Sequence, residues 1–581
     1  MKCQSEFKVR KLFILNFAAY FSEMDKYDQL NFSTVIPEVV SKYSDHKALG
    51  FVDEELMTYA EMGERIAAVK AFLEALEIEP GDRVAIYSQN MPNWGIVYFA
   101  LQCLGVVAVP VLPDFNSHEL ENVLQHSEAK AVFVSKSLEH KLAEAKKNML
   151  KVIVRIENFE VLKGKKQNIV FDENLKCNSS FKPKEDDLAV LIYTSGTTGD
   201  SKGVMLSQKN LITNAIQSGN IQEIMEHDRF LSVLPLSHAY ENTIGLILPL
   251  LKGANISYLR KPPTASVLVP AMKKVKPHLM LTVPMIIEKV YKNSIIPQIQ
   301  KKAFTRILHK NKFTRKLIYR LAGKKLYKTF GGNLKFFGIG GAKLDPQVEQ
   351  FLRDAKFPYA IGYGLTETSP LLAGSNPSTT KFQAIGPKVI DCELKINNPN
   401  PITGEGEIWA KGPNVMLGYY KNETKTREVL TEEGWFKTGD LGVFDEQGRL
   451  SHKGRLKNLI VGANGENIYP EDIESIINNF RHVVESVVVE KKGKLVALVH
   501  FNREELEIKL KGMTTDFTSK LDEKIEKFTQ KVDDAIDELA AELQQHINTR
   551  VNKFSRIQLL VSHPDPFQKT ATKKIKRYLY Y

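Results

Sequence analysis

The sequence predicts an α/β fold: a large N-terminal domain of layered, mostly parallel sheets that includes a β-rich subdomain, followed by a small α+β domain. Three observations carry this reading. Short β-branched runs alternate with helical patterns through the first three quarters of the chain, as in parallel sheets covered by helices. From about residue 392 the runs shorten and turns multiply. Beyond Arg455 one long apolar stripe at helical spacing takes over. At 581 residues and 43% hydrophobic content, the chain exceeds one ordinary domain and can bury a substantial core. The expected division is 1–455, with the β-rich part at about 392–455, and 456–581.

The elements follow in order. "RVAIYS" (83–88), a helical stretch through "NWGIVYFALQCLG", "VVAVPV" and "AKAVFVS" (129–135) form the first alternation. "LAVLIYTS", "RFLSVLPL", "HLMLTVP" and "LKFFGIGG" are further candidate strands. Several end in Gly, Ser, Thr or His, residue types suited to ligand-binding turns beyond strand ends. "CELKI", "GEIWAKG" and "TGDLGVFDEQGRLSHKGR" then signal the β-rich subdomain. Near the end Leu521, Ile525, Phe528, Val532, Ile536, Leu539, Leu543 and Ile547 recur every three or four residues, a stripe read as core packing of one long helix.

The formal charge of +12 suggests anionic company. Much of the excess lies in 301–328, "KKAFTRILHKNKFTRKLIYRLAGKKLYK", interleaved with Phe, Ile, Leu and Tyr. Two readings stand: a basic amphipathic segment resting on anionic membrane, or a solvated helix face beside the core. A nucleic-acid role lacks a recognisable module. No apolar run reaches the roughly 18–20 residues of a membrane-spanning helix, and "LFILNFAAYF" lacks a clear small-residue cleavage site. Cys3, Cys103, Cys177 and Cys392 lack disulfide or metal spacing, which suits a reducing cytoplasm. The sequence specifies no oligomeric state.

The chemistry starts at "YTSGTTGDSKGVML" (193–206). Glycines allow backbone N–H groups to converge on an anion, and Thr, Ser and Lys add donors and charge, so phosphate is the natural guest. The P-loop of nucleotide hydrolases fails on spacing, because Gly203 follows Lys202, and on context, because "VML" continues as a strand before Ser207 can cap a helix. A surface hairpin rich in small residues is the bland alternative. The loop resembles the phosphate-binding signature of the adenylate-forming superfamily, with Ser201 where the family usually has Pro. The remaining family motifs follow in order from about residue 30 to Arg577, and they resemble its long-chain fatty acyl-CoA synthetase branch.

The resemblance implies a role for each motif. In "GYGLTETSP" (362–370), Tyr363 would stack on adenine, Thr366 would touch the α-phosphate and Glu367 would ligate Mg2+, a hard ion usually held by few carboxylates plus substrate phosphates. "GIGGA" (338–342) would line the adenine and acyl pocket. "GWFKTGD" (434–440) supplies Asp440 for the ribose; "GRLKNLI" (454–460) supplies Arg455 as a second ribose contact and Lys457 as hinge. "GANGENIYPEDIE" (462–474) would reach the CoA channel, and "PFQKTATKKIKR" (566–577) supplies Lys574, with Lys573 where the family often has Gly. "LPLSHAYENT" (234–243) resembles the acyl-pocket segment, with His238 near the reacting carboxylate.

The implied catalytic set is therefore Lys574, Thr194, Lys202, Glu367 and His238, with Glu367 and Thr194 as Mg2+ ligands. Nucleotide or CoA contacts are implied for Thr194, Ser195, Gly196, Thr197, Thr198, Gly199, Lys202, Gly340, Gly341, Tyr363, Gly364, Thr366, Asp440, Arg455, Lys457 and Gly465. The implied reaction joins a fatty acid to ATP as acyl-AMP, releases pyrophosphate, and transfers the acyl group to CoA after a mobile C-terminal lid turns. An acyl carrier protein's phosphopantetheine presents the same thiol, and a membrane-associated protein with an inactive nucleotide pocket is the non-enzymatic alternative. The implied location is cytoplasmic, with peripheral contact on the inner face of the membrane through 301–328.

Overall fold

The computed structural model describes residues 20–145, 150–164, 169–195, 201–462, 466–511, 521–570 and 574–581. Two eight-stranded sheets dominate. The first runs in the order Gly418–Tyr419, Ser201–Ser207, Leu188–Ser195, Val107–Val111, Arg83–Tyr87, Ala131–Val134, Val152–Arg155, Glu160–Lys163. Its central pairs are parallel and its outer pairs antiparallel. The second runs Leu371–Gly374, Tyr359–Gly364, Phe336–Ile339, Leu279–Thr282, Arg229–Leu231, Asn255–Tyr258, Lys47–Phe51, Met57–Thr58, again parallel except at its two ends.

Parallel strands covered on both faces need apolar residues throughout, and every residue of Val107–Val111 is buried. Helix Pro92–Cys103 is likewise buried at every position and starts on a proline, whose missing N–H costs nothing in a first turn. It belongs to one hydrophobic core shared with residues of both sheets, including Ala108 and Ile256. Ser207 caps helix Gln208–Ile221, its side chain accepting from Asn210 N–H.

"RFLSVLPL" is strand only at Arg229–Leu231, shorter than the sequence predicts. The reason is local: the Asn90 side chain donates to Leu234 O at 2.6 Å and accepts from Leu236 N–H at 2.9 Å, drawing that backbone out of the sheet.

After residue 392 an antiparallel sheet forms from Glu393–Asn397, Gly406–Lys411, Phe436–Phe444 and Leu450–Arg455. The turn Leu456–Asn458 leads out of it. A last layer packs helices Pro470–Asn478 and Leu521–Asn548 against the sheet Val483–Lys491, Lys494–Phe501, Leu559–Ser562. The helical stripe from Phe528 to Ile547 lies in its core, with Val532, Leu543 and Ile547 fully buried, while Leu521 and Ile525 are described by their backbone alone.

Residues 301–328 fold into helices Ala303–Lys310 and Lys312–Thr329. The first buries no side chain, and the second buries Tyr319, Gly323 and Leu326 and packs Ile318, Ala322 and Tyr327 partly against the same core. Among the described residues no helix is long and apolar enough to cross a membrane.

Leu543→Ala removes a fully buried side chain from the last layer. It is expected to cost about 2–5 kcal/mol, read by hydrogen exchange as lost protection in Val483–Lys491 and Lys494–Phe501, with protection of Val107–Val111 unchanged.

Candidate active site

The glycine-rich loop joins two antiparallel strands, with Thr194 paired directly opposite Lys202. Gly196, Thr197, Thr198 and Gly199 lie outside the described residues, as does Gly465; Ser195 is described by its backbone alone. Lys202 is half-buried, with Nζ 5.2 Å from the centroid of the Tyr419 ring. Burial, then the charges of Lys425 and Lys457, lower its pKa, while Glu367 and Glu428 oppose the shift.

Tyr419 links this lysine to the next motif, because its hydroxyl donates to Glu367 Oε1 at 2.9 Å. Glu367 sits in the turn Thr366–Thr368, which follows strand Tyr359–Gly364. That strand must end in glycine: a Cβ on Gly364 would stand 1.8 Å from the Pro370 carbonyl oxygen. Among the described residues no three His, Cys, Asp or Glu side chains form a metal cage. An ion at Glu367 and Thr194 would take its other ligands from substrate oxygen and water, a donor set that fits Mg2+.

Asp440 and Arg455 occupy directly opposed positions on neighbouring strands. Their ion pair measures 2.7 Å from Arg455 Nε to Asp440 Oδ1, and the carboxylate is only 2% exposed. Tyr363 donates to Asp440 Oδ2 at 2.8 Å, and His452 Nε2 lies 3.5 Å from Oδ1. Burial alone would raise the carboxyl pKa, but Arg455, His452 and Tyr363 together hold it below the ordinary range.

Lys574 enters from the C-terminal hairpin. Thr570 N–H donates to Lys574 O at 2.8 Å, and Lys576 N–H to Gln568 O at 2.8 Å. Buried carboxylates anchor both arms: Glu485 accepts from Phe567 N–H at 2.7 Å and pairs with Lys569, while Glu474 pairs with Arg577 and accepts from Val488 N–H at 2.6 Å. The Lys574 side chain keeps solvent access yet stands within the protein's enclosing mass, as it would inside an open cleft. That enclosure and Arg455 push its pKa down; Asp440 and Glu367 counter them.

His238 opens the helical segment before Glu241–Ile247, with Asn242 N–H donating to its carbonyl at 2.9 Å. Burial and the charge of Lys574 lower its pKa to about 4, so the ring is neutral at physiological pH. Gly338 and Gly340 leave room for Tyr240: a Cβ on Gly340 would lie 3.2 Å from its ring, and Gly341 takes φ +84°. Behind this turn runs a narrow cavity of about 40 Å3, lined by Tyr240, Ile244, Leu248, Leu281, Phe336 and Ile361 among others.

The structure thus gathers Lys202, Glu367, Tyr363, Asp440, Arg455, Lys574 and His238 around one cleft. Lys457 is solvent-exposed in the turn Leu456–Asn458, near enough for its charge to act on Lys202. Tyr419, His452, Glu474 and Glu485 escaped the sequence reading. None left a distinctive signal there; Glu485, for one, is the first of two acids in the run "VVESVVVE".

The sequence profile of the AMP-binding enzyme family matches residues 36–420. The chain is 30% identical over 483 residues to the peroxisomal long chain acyl-CoA synthetase 6 of Arabidopsis thaliana, covering 75% of this chain and 68% of that one. It is 31% identical over 493 residues to the long-chain-fatty-acid–CoA ligase FadD15 of Mycobacterium bovis, covering 78% of each. Its fold is similar to that of the O-succinylbenzoate coenzyme A synthetase MenE of Bacillus subtilis, solved with ATP and magnesium ion, at TM-score 0.71 and 23% identity over 94% of this chain and 98% of that one.

The neutrality of His238 is directly measurable. Its imidazole NMR signals are expected to stay unshifted between about pH 5 and 8, the range in which an ordinary histidine titrates. A midpoint near 6.5 would contradict the enclosure described above.

Proposed function

The chain belongs to the AMP-binding enzyme family, and from that premise we propose that its cleft activates a long-chain fatty acid as acyl-AMP and passes the acyl group to CoA. It is an AMP-forming acid–thiol ligase. The observation that carries the site assignment is the meeting of Lys574 with Arg455, Asp440, Glu367 and His238, groups from four distant stretches of chain.

A carboxylate resists a thiol because its carbonyl is electron-rich and its leaving group would be oxide. In the first step a carboxylate oxygen bonds to the α-phosphorus of ATP while the bond to pyrophosphate breaks. In the second, the CoA sulfur bonds to the acyl carbon and AMP leaves. Anions must be brought together in both, so positioned positive charge dominates the catalysis.

Lys202 and the loop N–H groups hold the phosphates, and Lys574 brings its charge to the carboxylate and α-phosphate. Glu367 and Thr194 would hold Mg2+, which when bound screens phosphate charge. Asp440 has lone pairs to spare for ribose hydroxyls beside Tyr363 and Arg455. Tyr363, with Gly340, Gly341 and Gly364, receives the base, and Thr366 the α-phosphate. Neutral His238 donates one N–H to the acid without adding charge. The lid comprises residues 456–581, and its rotation about Lys457 withdraws Lys574 and brings the segment around Gly465 to CoA. The apolar cavity behind Gly338 leads toward the acyl tail.

The test is fatty-acid-dependent exchange of pyrophosphate into ATP, followed by thioester detection once CoA or an acyl carrier protein is added. Lys574→Ala is expected to lower exchange by about 10²–10³-fold, while Lys457→Ala mainly slows thioester formation. Equal exchange in wild type and Lys574→Ala would overturn the lysine's role.

Residues 301–328 support peripheral contact with an anionic membrane. They hold eleven Lys or Arg and no acid. Phe313, Leu317 and Leu321 form one row at 86%, 59% and 62% exposure, beside the basic row Lys312, Lys316, Arg320 and Lys324. Phosphatidylglycerol vesicles, unlike phosphatidylcholine vesicles, are expected to sediment the protein in a salt-sensitive manner, and Phe313→Glu with Leu317→Glu to abolish this. Equal partitioning of wild type and double variant would reject the contact.

A further inference from the structure

We propose that Glu241 is a positioning residue, whose carboxyl clamps the segment that delivers His238 to the cleft. The inference rests on the reading of His238 as a group at the reacting carboxylate. Glu241 is 2% exposed, and its Oε1 accepts from Ser232 Oγ at 2.6 Å. Ser232 Oγ accepts in turn from Asn90 Nδ2 at 3.0 Å, and the same Asn90 side chain holds Leu234 O and Leu236 N–H. Three side chains therefore fix the backbone from residue 232 to 236, immediately before His238.

The fold makes room for this acid at some cost. Helix Glu241–Ile247 is wound with i→i+5 hydrogen bonds, a wide turn often found at functional sites. Gly245 lies one such row along, where a Cβ would stand 2.7 Å from the Glu241 carboxyl carbon. Among the described residues no cation pairs with Glu241, and its Oε2 has no hydrogen-bond partner. A buried carboxylate in that state would be costly. Burial accordingly raises its pKa to about 8, against the opposing hydrogen bonds of Ser232 and Val233 N–H. The titratable groups facing it are Tyr240 on the adjoining residue and Tyr258 on strand Asn255–Tyr258, both held in their neutral forms by burial. At neutral pH Glu241 is thus a carboxylic acid: Oε1 accepts from Ser232, and Oε2 carries the proton.

No ligand of the reaction needs to touch Glu241 for this role, which separates it from a catalytic group. Its effect passes through Ser232 and the chain to His238. A displacement of about 1 Å at a reacting group costs roughly 10²-fold in rate, so a loosened clamp is visible in kinetics.

The experiment measures pyrophosphate exchange, its pH profile and the imidazole NMR signals of His238 in wild type, Glu241→Leu and Glu241→Gln. Glu241→Leu is expected to lower kcat for exchange by about 10²-fold, with KM for ATP little changed and the His238 signals moved. Glu241→Gln keeps an uncharged acceptor for Ser232, so it is expected to rescue exchange at neutral pH and to remove the fall in rate expected of wild type above about pH 8. Unmoved His238 signals in the leucine variant, or an intact alkaline fall in the glutamine variant, would overturn the proposal. If Glu241→Leu does not fold, Ser232→Ala and the glutamine pH profile decide the same question. Absence of exchange in wild type would strike the functional reading instead, while the His238 signals still judge the clamp.

Discussion

The cleft depends on one buried charge: Asp440, 2% exposed, held ionised by Arg455 across the strand. Arg455 is 44% exposed, so the pair takes chiefly the carboxylate out of water, and that desolvation offsets much of the attraction. Its worth lies in arrangement. Asp440 is the acidic centre against which Arg455 and Lys574 can stand close together, and their mutual repulsion is one reason the Lys574 pKa falls. Glu367 gives the same service to Lys202 at the other end of the cleft. The two acids let Lys202, Arg455 and Lys574, from three separate segments, converge before any polyphosphate arrives.

The sheets and the last layer share the task of delivery unequally. Strand ends of the two large sheets fix the glycine turns, Glu367 and the phosphate-loop strands. Lys574 instead is fixed to the last layer, through Glu474 and Glu485. Contacts between that layer and the rest include polar ones: Lys343 pairs with Asp472, Ser475 Oγ lies 3.4 Å from Asp345 Oδ2, and Lys292 Nζ donates to Val483 O at 2.8 Å. Polar contacts of this kind are typical of interfaces between domains of one chain, which suits the lid movement proposed above. Lys574 is tied to its layer by Glu474 and Glu485, so its position relative to Asp440 and Arg455 is set by where the layer sits.

Much of this was readable from residues alone, for physical reasons. Buried parallel strands such as Val107–Val111 need unbroken apolar runs, and the helix Leu521–Asn548 needs a stripe, so both announce themselves. Motif glycines did so as well, since Gly364 has no space for a side chain and Gly340 is crowded by the Tyr240 ring. Acids that work from inside did not. Glu241, Glu474 and Glu485 have no periodic signature, because hydrophobic patterning treats any charged residue as solvent-facing. The loss of strand after Leu231 was hidden for a related reason: an asparagine some 140 positions earlier takes up the backbone groups that pairing would have used. "RFLSVLPL" has strand propensity along its length, and tertiary hydrogen bonding overrides it.

On the proposed function, the segment from Ser232 to Leu248 would tie the two ends of the acid substrate to one piece of structure. Tyr240, Ile244 and Leu248 form a row along the apolar cavity, while Glu241 and Gly245 form the next row and hold the clamp on Ser232. Each buried CH2 of an acyl tail is worth about 0.8 kcal/mol, a driving force that grows with chain length and acts on the first row. The cavity, at about 40 Å3, is far smaller than a long tail, so binding must push that row aside. Because both rows share one backbone, the energy of tail burial is applied to the same helix that sets His238. On the proposed function, tail recognition and carboxylate placement would be coupled through this shared backbone, and a substitution in the apolar row should be judged by its effect on the carboxylate end as well as on chain-length preference.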